Sequence, residues 1–304
     1  MAAPTNYSLL ANYRKSAFES HANFALKRYV NPLWQALSRG NICRNLQAPG
    51  QRLILIVDGR PSLLLRFCVL NSLIMTGFKY RCNLYTDASS ASDMRGLFAD
   101  VSDFVEVIDL SAFGVEKLSL GIYNKLLKAS QFWSAVPASS VLLTQPDALL
   151  VEPFPDEFFK YDYIGAPWSP NRVFSLSFPA YVSGELGQYS EVWQNVVMNR
   201  NFKLLNLVGN GGHSIRSVRY MTAISSLGGS PENEPEDVFF ARNAQSYSGC
   251  FPSALEAKRF SCETSYSYAY GSHASHLYIE SYHQSEIYER HIKHLAGLYL
   301  ANCV

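Results

Sequence analysis

An α/β fold with a largely parallel sheet is the class the sequence predicts, and three observations predict it. Short apolar runs alternate with helical stretches through the first half of the chain. The runs are apolar throughout instead of alternating, as strands buried on both faces require. Three of them end at an acid: Asp58, Asp87 and Asp147.

The elements follow in order. Residues 53–57 (Leu-Ile-Leu-Ile-Val) form a buried strand closed by the turn Asp58-Gly59-Arg60-Pro61. Residues 62–77 read as an apolar helix, and 80–85 as a second strand running to Thr86-Asp87. Residues 105–110 are a third strand, 120–135 a helix, and 140–144 a fourth strand leading into Gln145-Pro146-Asp147. In parallel sheets ligands sit at the carboxyl ends of strands, where these acids fall. Near the C-terminus Ile287, Ile292, Leu295 and Leu298 share one helical face. Residues 171–200 are polar and aromatic without an assignable period.

Composition narrows the class further. With 304 residues, 48% of them hydrophobic, the chain can bury a large core, which excludes disordered, collagen-like and coiled-coil proteins. A net charge of +1 gives no reason to expect nucleic acid. No apolar window of about 18 residues predicts a spanning helix. The first residues lack the basic-then-apolar pattern of a secretory signal, and Cys303, next to last, does not form a prenylation box. Cys43, Cys68, Cys82, Cys250, Cys262 and Cys303 are scattered without metal spacing, so reduced thiols and a cytoplasmic setting are expected.

Residues 1–52 hold seven Lys/Arg and one acid, Glu19, interleaved with Tyr13, Phe18, Phe24, Tyr29 and Trp34. Helical spacing makes this a basic, aromatic extension. Two readings stand: its aromatics pack on the main domain, or its surface rests on anionic lipid or a polyanionic acceptor at the inner face of a membrane.

Four segments carry chemistry-bearing residues. Asp147 ends a buried strand between apolar neighbours, where a carboxylate can hold Mg²⁺ or Mn²⁺ or simply cap a turn. Residues 208–217 (Val-Gly-Asn-Gly-Gly-His-Ser-Ile-Arg-Ser) place three glycines in four residues, for close approach of a ligand or for a turn. They match neither a P-loop nor a dinucleotide fingerprint. Glu236 and Asp237 precede an apolar helix, where acids suit the helix dipole or could deprotonate an acceptor hydroxyl. His273 and His276 lie in a Gly-Ser loop that could reach a metal or phosphate, or stand as surface histidines.

The order of these segments, together with Tyr161-Asp162-Tyr163-Ile164-Gly165-Ala166-Pro167-Trp168, Tyr123-Asn124-Lys125-Leu126-Leu127 and Pro235-Glu236-Asp237-Val238-Phe239-Phe240, resembles a family of GT-A-type, nucleotide-sugar-dependent glycosyltransferase-like proteins. The likeness covers roughly residues 53–276. It implies a GT-A fold at 51–304, with a nucleotide-sugar half (51–150), an acceptor and catalytic half (151–280) and a C-terminal helix (281–304), preceded by the extension 1–50.

The resemblance also implies roles. The D-x-D metal motif corresponds to Gln145-Pro146-Asp147, so Asp147 is the metal ligand, Gln145 contacts the donor, and a divalent cation, Mn²⁺ or Mg²⁺, bridges the donor diphosphate. His273 completes the metal site, with His276 as its substitute. Asp58, Arg60, Asp87, Asn124, Gly211 and Gly212 belong to donor binding. Trp168, Asn210, His213 and Arg216 face the acceptor. Asp237 is the base and Glu236 contacts donor or acceptor. The activity implied is inverting transfer of a sugar from a nucleotide-sugar to a glycan or lipid-linked acceptor in polysaccharide biosynthesis. A degenerate domain that binds without turnover and a metal-dependent nucleotidyltransferase are the alternatives.

Overall fold

The computed structural model describes residues 6–38, 50–167, 172–175, 178–183, 205–206, 209–228, 234–243 and 249–303. Trp168 and Cys43 lie outside the described residues. The chain opens with α1 (Asn6–Ala25), a π-turn at Leu26–Val30 and α2 (Asn31–Ser38). It continues through β1 (Gly50–Val57), α3 (Leu63–Met75), β2 (Arg81–Thr86), α4 (Ala91–Leu97) and β3 (Val105–Asp109). Then come α5 (Leu120–Leu127), α6 (Ser130–Ala135), β4 (Ala138–Thr144), β5 (Ala148–Leu150), β6 (Tyr163–Gly165), β7 (Arg172–Ser175), β8 (Phe178–Ser183) and β9 (Leu205–Asn206). The last part holds β10 (His213–Ser217), α7 (Val218–Ser226), α8 (Glu236–Asn243), α9 (Ala254–Phe260), β11 (Ser261–Cys262), β12 (Gly271–His273), α10 (Ser275–Tyr278) and α11 (Ser281–Cys303).

The central sheet runs β3-β2-β1-β4-β10-β6. The first four strands are parallel, and β10 is antiparallel to both β4 and β6. The α/β class with a mostly parallel sheet and N-terminal helices is therefore as expected. Two small sheets flank it, β11-β12-β5 and β8-β7-β9.

The apolar run of β1 serves two cores. Ile54 and Ile56 point into one, with Leu65 and Phe67 of α3 and Leu295 of α11. Leu53, Leu55 and Val57 point into the other, with Phe132, Trp133, Phe239 and Phe240. Period-two alternation assigns each residue to a face, and a helical layer on both faces makes every residue apolar. Ser62 caps α3, accepting a hydrogen bond from the Leu65 N–H at 3.1 Å.

The helix expected over 120–135 is two helices. Ala129 takes an extended conformation between them. The Trp133 indole N–H donates to the Leu127 carbonyl at 2.6 Å, satisfying an oxygen that a continuous helix would have used internally.

The N-terminal helices pack on the domain. Phe18, Ala22, Leu26, Val30, Leu33 and Trp34 are buried in the core cluster that contains Ile54 and Leu295. The π-turn precedes Pro32, whose ring cannot donate and crowds the preceding turn. Among the described residues no helix is long and apolar enough to cross a membrane.

A buried polar relay fixes α1 in place. Asn71 Nδ2 donates to the Leu150 carbonyl at 3.0 Å, so its Oδ1 accepts from His291 Nε2 at 2.8 Å. His291 Nδ1 is then the acceptor for His21 Nε2, 2.9 Å away. Both imidazoles are neutral in this wiring. Burial lowers His21 to about 4 and pushes His291 well below its ordinary value, aided there by His21 and His294. A histidine with a depressed folded value stabilises above its ordinary 6.5 and loses that contribution as pH falls toward 4. Relative to His21→Gln, which keeps a donor for His291, the wild type should lose about 2 kcal/mol between pH 7 and 5. Denaturant titrations at both pH values check this, and equal losses in the two proteins would refute it.

Candidate functional site

A cavity of about 760 Å³ opens at the carboxyl ends of β1, β2 and β4. Asp58, Arg60, Asp87, Gln145 and Asp147 line it, as does His276. The parallel sheet thus brings the three strand-end acids to one cleft. Lys15, Phe18 and Glu19 of α1 line it too, which no local pattern had indicated.

Each acid is held differently. Asp58 forms a turn: its Oδ1 accepts the Arg60 N–H at 2.7 Å, and its Oδ2 pairs with the Arg60 guanidinium at 2.6 Å. Burial would raise the Asp87 carboxyl. Hydrogen bonds from the Leu118 and Ser90 N–H groups and the Ser89 hydroxyl instead hold it below its ordinary value. Gly59 lacks a side chain because a Cβ would strike Asp87 Oδ2. Burial also opposes ionisation of Asp147, yet the His273 charge outweighs it and lowers the carboxyl to about 2.

His273 is the hub of the site. Its Nε2 lies 3.3 Å from Asp147 Oδ1 and 3.0 Å from Gln145 Oε1, and its Nδ1 lies 2.9 Å from Glu263 Oε2. Despite burial, Glu263 and Asp147 raise its value well above the ordinary one. Gln145 is oriented by its Nε2, which donates to the Tyr123 hydroxyl at 2.9 Å. One ring nitrogen faces two oxygens, so a positive charge belongs between them, either a proton or a cation. Gln145 Oε1, Asp147 Oδ1 and His273 Nε2 are oxygen and imidazole donors suited to Mn²⁺ or Mg²⁺, and Glu263 is the outer carboxylate that orients such a histidine. Among the described residues no three His, Cys, Asp or Glu side chains form a metal cage, so a cation here would use the Gln145 carbonyl as its third protein donor.

The glycine segment places the second acid pair beside this hub. A Cβ on Gly212 would strike the His273 ring, and one on Gly211 would meet Glu236 Oε1 and Asp237 Cβ. Successive glycines therefore bring β10 against His273 on one side and the start of α8 on the other. Arg216, fully buried, pairs with both oxygens of Glu236 at 2.6 and 2.9 Å. It also donates to Ser214 and to the Gly211 carbonyl, with the rings of Trp133, Tyr163 and Phe240 around it. Glu236 and Arg216 hold the glycine segment from within.

Asp237 is half-buried, with Oδ1 accepting the Val238 N–H at 2.8 Å. Burial, reinforced by the negative charges of Glu236 and Glu263, raises its carboxyl to about 7. A carboxylate tuned near neutrality is suited to accept a proton.

Other expected site residues take interior positions. His213 is buried, stacks on Phe260 at 5.3 Å, and is lowered to about 3 by burial. Asn210 donates to the Ala166 carbonyl at 3.1 Å. Asn124 Oδ1 accepts the Glu236 N–H at 3.2 Å and so caps α8. Besides the α1 residues, sequence reasoning missed Glu263, and it gave Tyr123, which lies in one of the motifs, no role. Glu263 follows a strand of only two residues, too short to read as a period.

Comparison with known proteins adds a family. The model of the family described as "Protein of unknown function (DUF5672)" matches residues 114–277, more than half of the chain, and the chain belongs to that family. The match contains Gln145, Asp147, Gly211, Gly212, Asp237, Glu263, His273 and His276. No curated protein matches the chain. Among solved structures it is similar to mannosyltransferase PcManGT from Pyrobaculum calidifontis in complex with GDP-Man and Mn²⁺. Identity is 11% and the TM-score 0.34, over 77% of this chain and 62% of that one. This chain thus matches less than two thirds of that protein's length, and likeness of this degree does not extend to activity or ligand.

Proposed function

We propose that this member of the DUF5672 family is an inverting, GT-A-type glycosyltransferase. It moves a sugar from a nucleotide-sugar to a hydroxyl of a glycan or lipid-linked acceptor. One observation supports this most: Asp147 and Gln145, which follow β4 and line a cavity on the carboxyl side of the sheet, both meet His273. Asp237 stands one glycine further along β10's approach, raised to about 7.

The chain's own groups account for the steps. The backbone-held Asp87 and the Asp58–Arg60 turn bind the polar nucleoside portion. Gln145, Asp147 and His273 would hold a divalent cation, which when bound supplies positive charge to the donor diphosphate. The acceptor oxygen attacks the anomeric carbon as the bond to the diphosphate breaks. That electron pair leaves with the nucleoside diphosphate, and the hydroxyl proton passes to Asp237. Attack opposite the leaving group inverts the anomeric carbon.

A second reading, donor binding without turnover, draws on one feature. Asp147 already faces His273 at 3.3 Å, and Gln145 stands where the D-x-D motif of GT-A enzymes has an acid.

Thermal melts with UDP-, GDP-, CMP- and dTDP-sugars, with and without Mn²⁺, test the donor assignment. One nucleotide class should raise the melting temperature in a metal-dependent way, and Asp147→Ala should abolish the shift. No shift with any donor would count against both readings.

A further inference from the structure

We propose that the N-terminal helix is a wall of the donor cavity, where Lys15, beside His276, holds the anionic diphosphate of a nucleoside diphosphate. This rests on the nucleotide-sugar reading of the cavity, and it goes beyond it, because α1 lies outside the residues matched by the family.

The geometry comes first. Lys15, Phe18 and Glu19 line the same cavity as Gln145, Pro146 and Asp147. One turn of helix separates Lys15 from Phe18 and Glu19, so a single face of α1 looks onto the cleft. That face is fixed in place. Phe18 is 1% exposed, and the relay from His21 through His291 and Asn71 ends on the Leu150 carbonyl, three residues beyond Asp147. Arg14 adds an ion pair to Glu280 at 2.7 Å.

His276 joins the helix to the site. Phe18 stacks on its ring, with centroids 5.7 Å apart and planes at 19°. The imidazole is 7% exposed, lines the cavity, and its Nδ1 has no hydrogen-bond partner among the described residues. Lys15, Glu19 and Asp147, whose charges act on it, line the same cleft.

Charge then selects the ligand. The cavity's strand-end carboxylates are already answered by the protein: Asp58 by Arg60, Asp87 by backbone N–H groups and Ser89, Asp147 by His273. The rim adds the cations Lys15 and Lys117 and one further acid, Glu19. Glu19 lies 4.0 Å from Lys15, with both side chains about half exposed to solvent, a pairing that is weak in water. A diphosphate offers Lys15 a stronger partner through charge-assisted hydrogen bonds. Serines 62, 89, 90 and 119 supply neutral hydroxyls around the remainder of the cavity, which suits a ribose and base.

Calorimetric titration of the full chain in Mn²⁺ with UDP, GDP, CDP, ADP and dTDP, and with the matching nucleosides, tests the proposal. For the diphosphate that binds the wild type, Lys15→Ala should weaken affinity roughly tenfold, a difference that shrinks as salt rises. Lys15→Arg should recover most of it, and Glu19→Gln should tighten binding. Nucleoside affinity and melting temperature should stay at wild-type values in all three variants, since Lys15 is exposed. Undiminished diphosphate binding in Lys15→Ala would overturn the proposal while leaving the donor reading intact. Equal loss of nucleoside and diphosphate would overturn it as well, showing α1 to be scaffold alone. A wild type that binds none of these diphosphates would remove the donor reading and this inference together.

Discussion

Asp237→Asn should abolish turnover, lowering kcat by a factor of about 10² to 10⁴, while leaving donor affinity near that of the wild type. The amide matches the carboxylate in size and can still accept the Val238 N–H, so the start of α8 is preserved. What disappears is the carboxylate proposed as proton acceptor. The carboxyl is raised to about 7 by burial and by Glu236 and Glu263, so Asp237 is half ionised near neutrality in the wild type. In the proposed mechanism the ionised form is the active one. The rate at low substrate should therefore rise with pH through about 7 and level off above it. Glu263→Gln removes one of the charges that raise Asp237 and should move that inflection to lower pH. Initial rates across pH 5 to 9, with donor binding measured alongside, check these outcomes. An Asp237→Asn enzyme with wild-type rates would remove Asp237 from the chemistry.

The largest stability effect should come from Arg216→Leu. Arg216 and Glu236 are both buried, and the two oxygens of Glu236 accept from one guanidinium at 2.6 and 2.9 Å. Removing the cation leaves a carboxylate without its partner inside the protein, next to the raised carboxyl of Asp237. The expected cost is about 3–5 kcal/mol, on the order of 10 °C in melting temperature for a domain of this size. Joining Arg216→Leu to Glu236→Met removes both charges and should recover a good part of the loss, since apolar replacement of a whole buried pair is often tolerated. Calorimetric melts of the single and double variants read the difference. Equal losses in both would show that the Gly211 and Ser214 hydrogen bonds, and not the ion pair, carry the stability.

The two variants also separate the adjacent acids. From the residue types alone Glu236 and Asp237 are two acids before an apolar run, and only the family resemblance assigned the base to Asp237. In the structure one is spent on Arg216, and the other is left half-buried with a raised carboxyl. Only the rotation of α8 about its axis decides this, and tertiary packing sets that rotation.

The parallel half of the fold was legible because its strands bury both faces. The runs at 53–57 and 140–144 announce themselves, and the acids that end them fall where the sheet ends. Asp58, Asp87 and Asp147 reach the cavity for that reason. The Gly211-Gly212 pair was visible as a close approach, although what approaches includes the protein's own His273 and Glu236. Glu263 was not legible, because β11 is two residues long and its acid meets His273 only through pairing with β12. Nor was the part played by α1. Helical spacing allowed for aromatics packed on the domain, but which residues line the cavity is set by packing against α3, α10 and α11, contacts far away in sequence. The break between α5 and α6 goes with an extended Ala129 and an indole hydrogen bond from Trp133 to Leu127, which the run of helix-forming residues does not signal.

Inverting glycosyl transfer with Asp237 as the base leaves a stereochemical signature. Proton NMR of the sugar released from the bound donor, recorded before mutarotation, tests it most directly. The wild type should form a product whose anomeric configuration is opposite to that of the donor, and Asp237→Asn should not form it. A product of retained configuration, or an inverted one formed at an undiminished rate by Asp237→Asn, would contradict it.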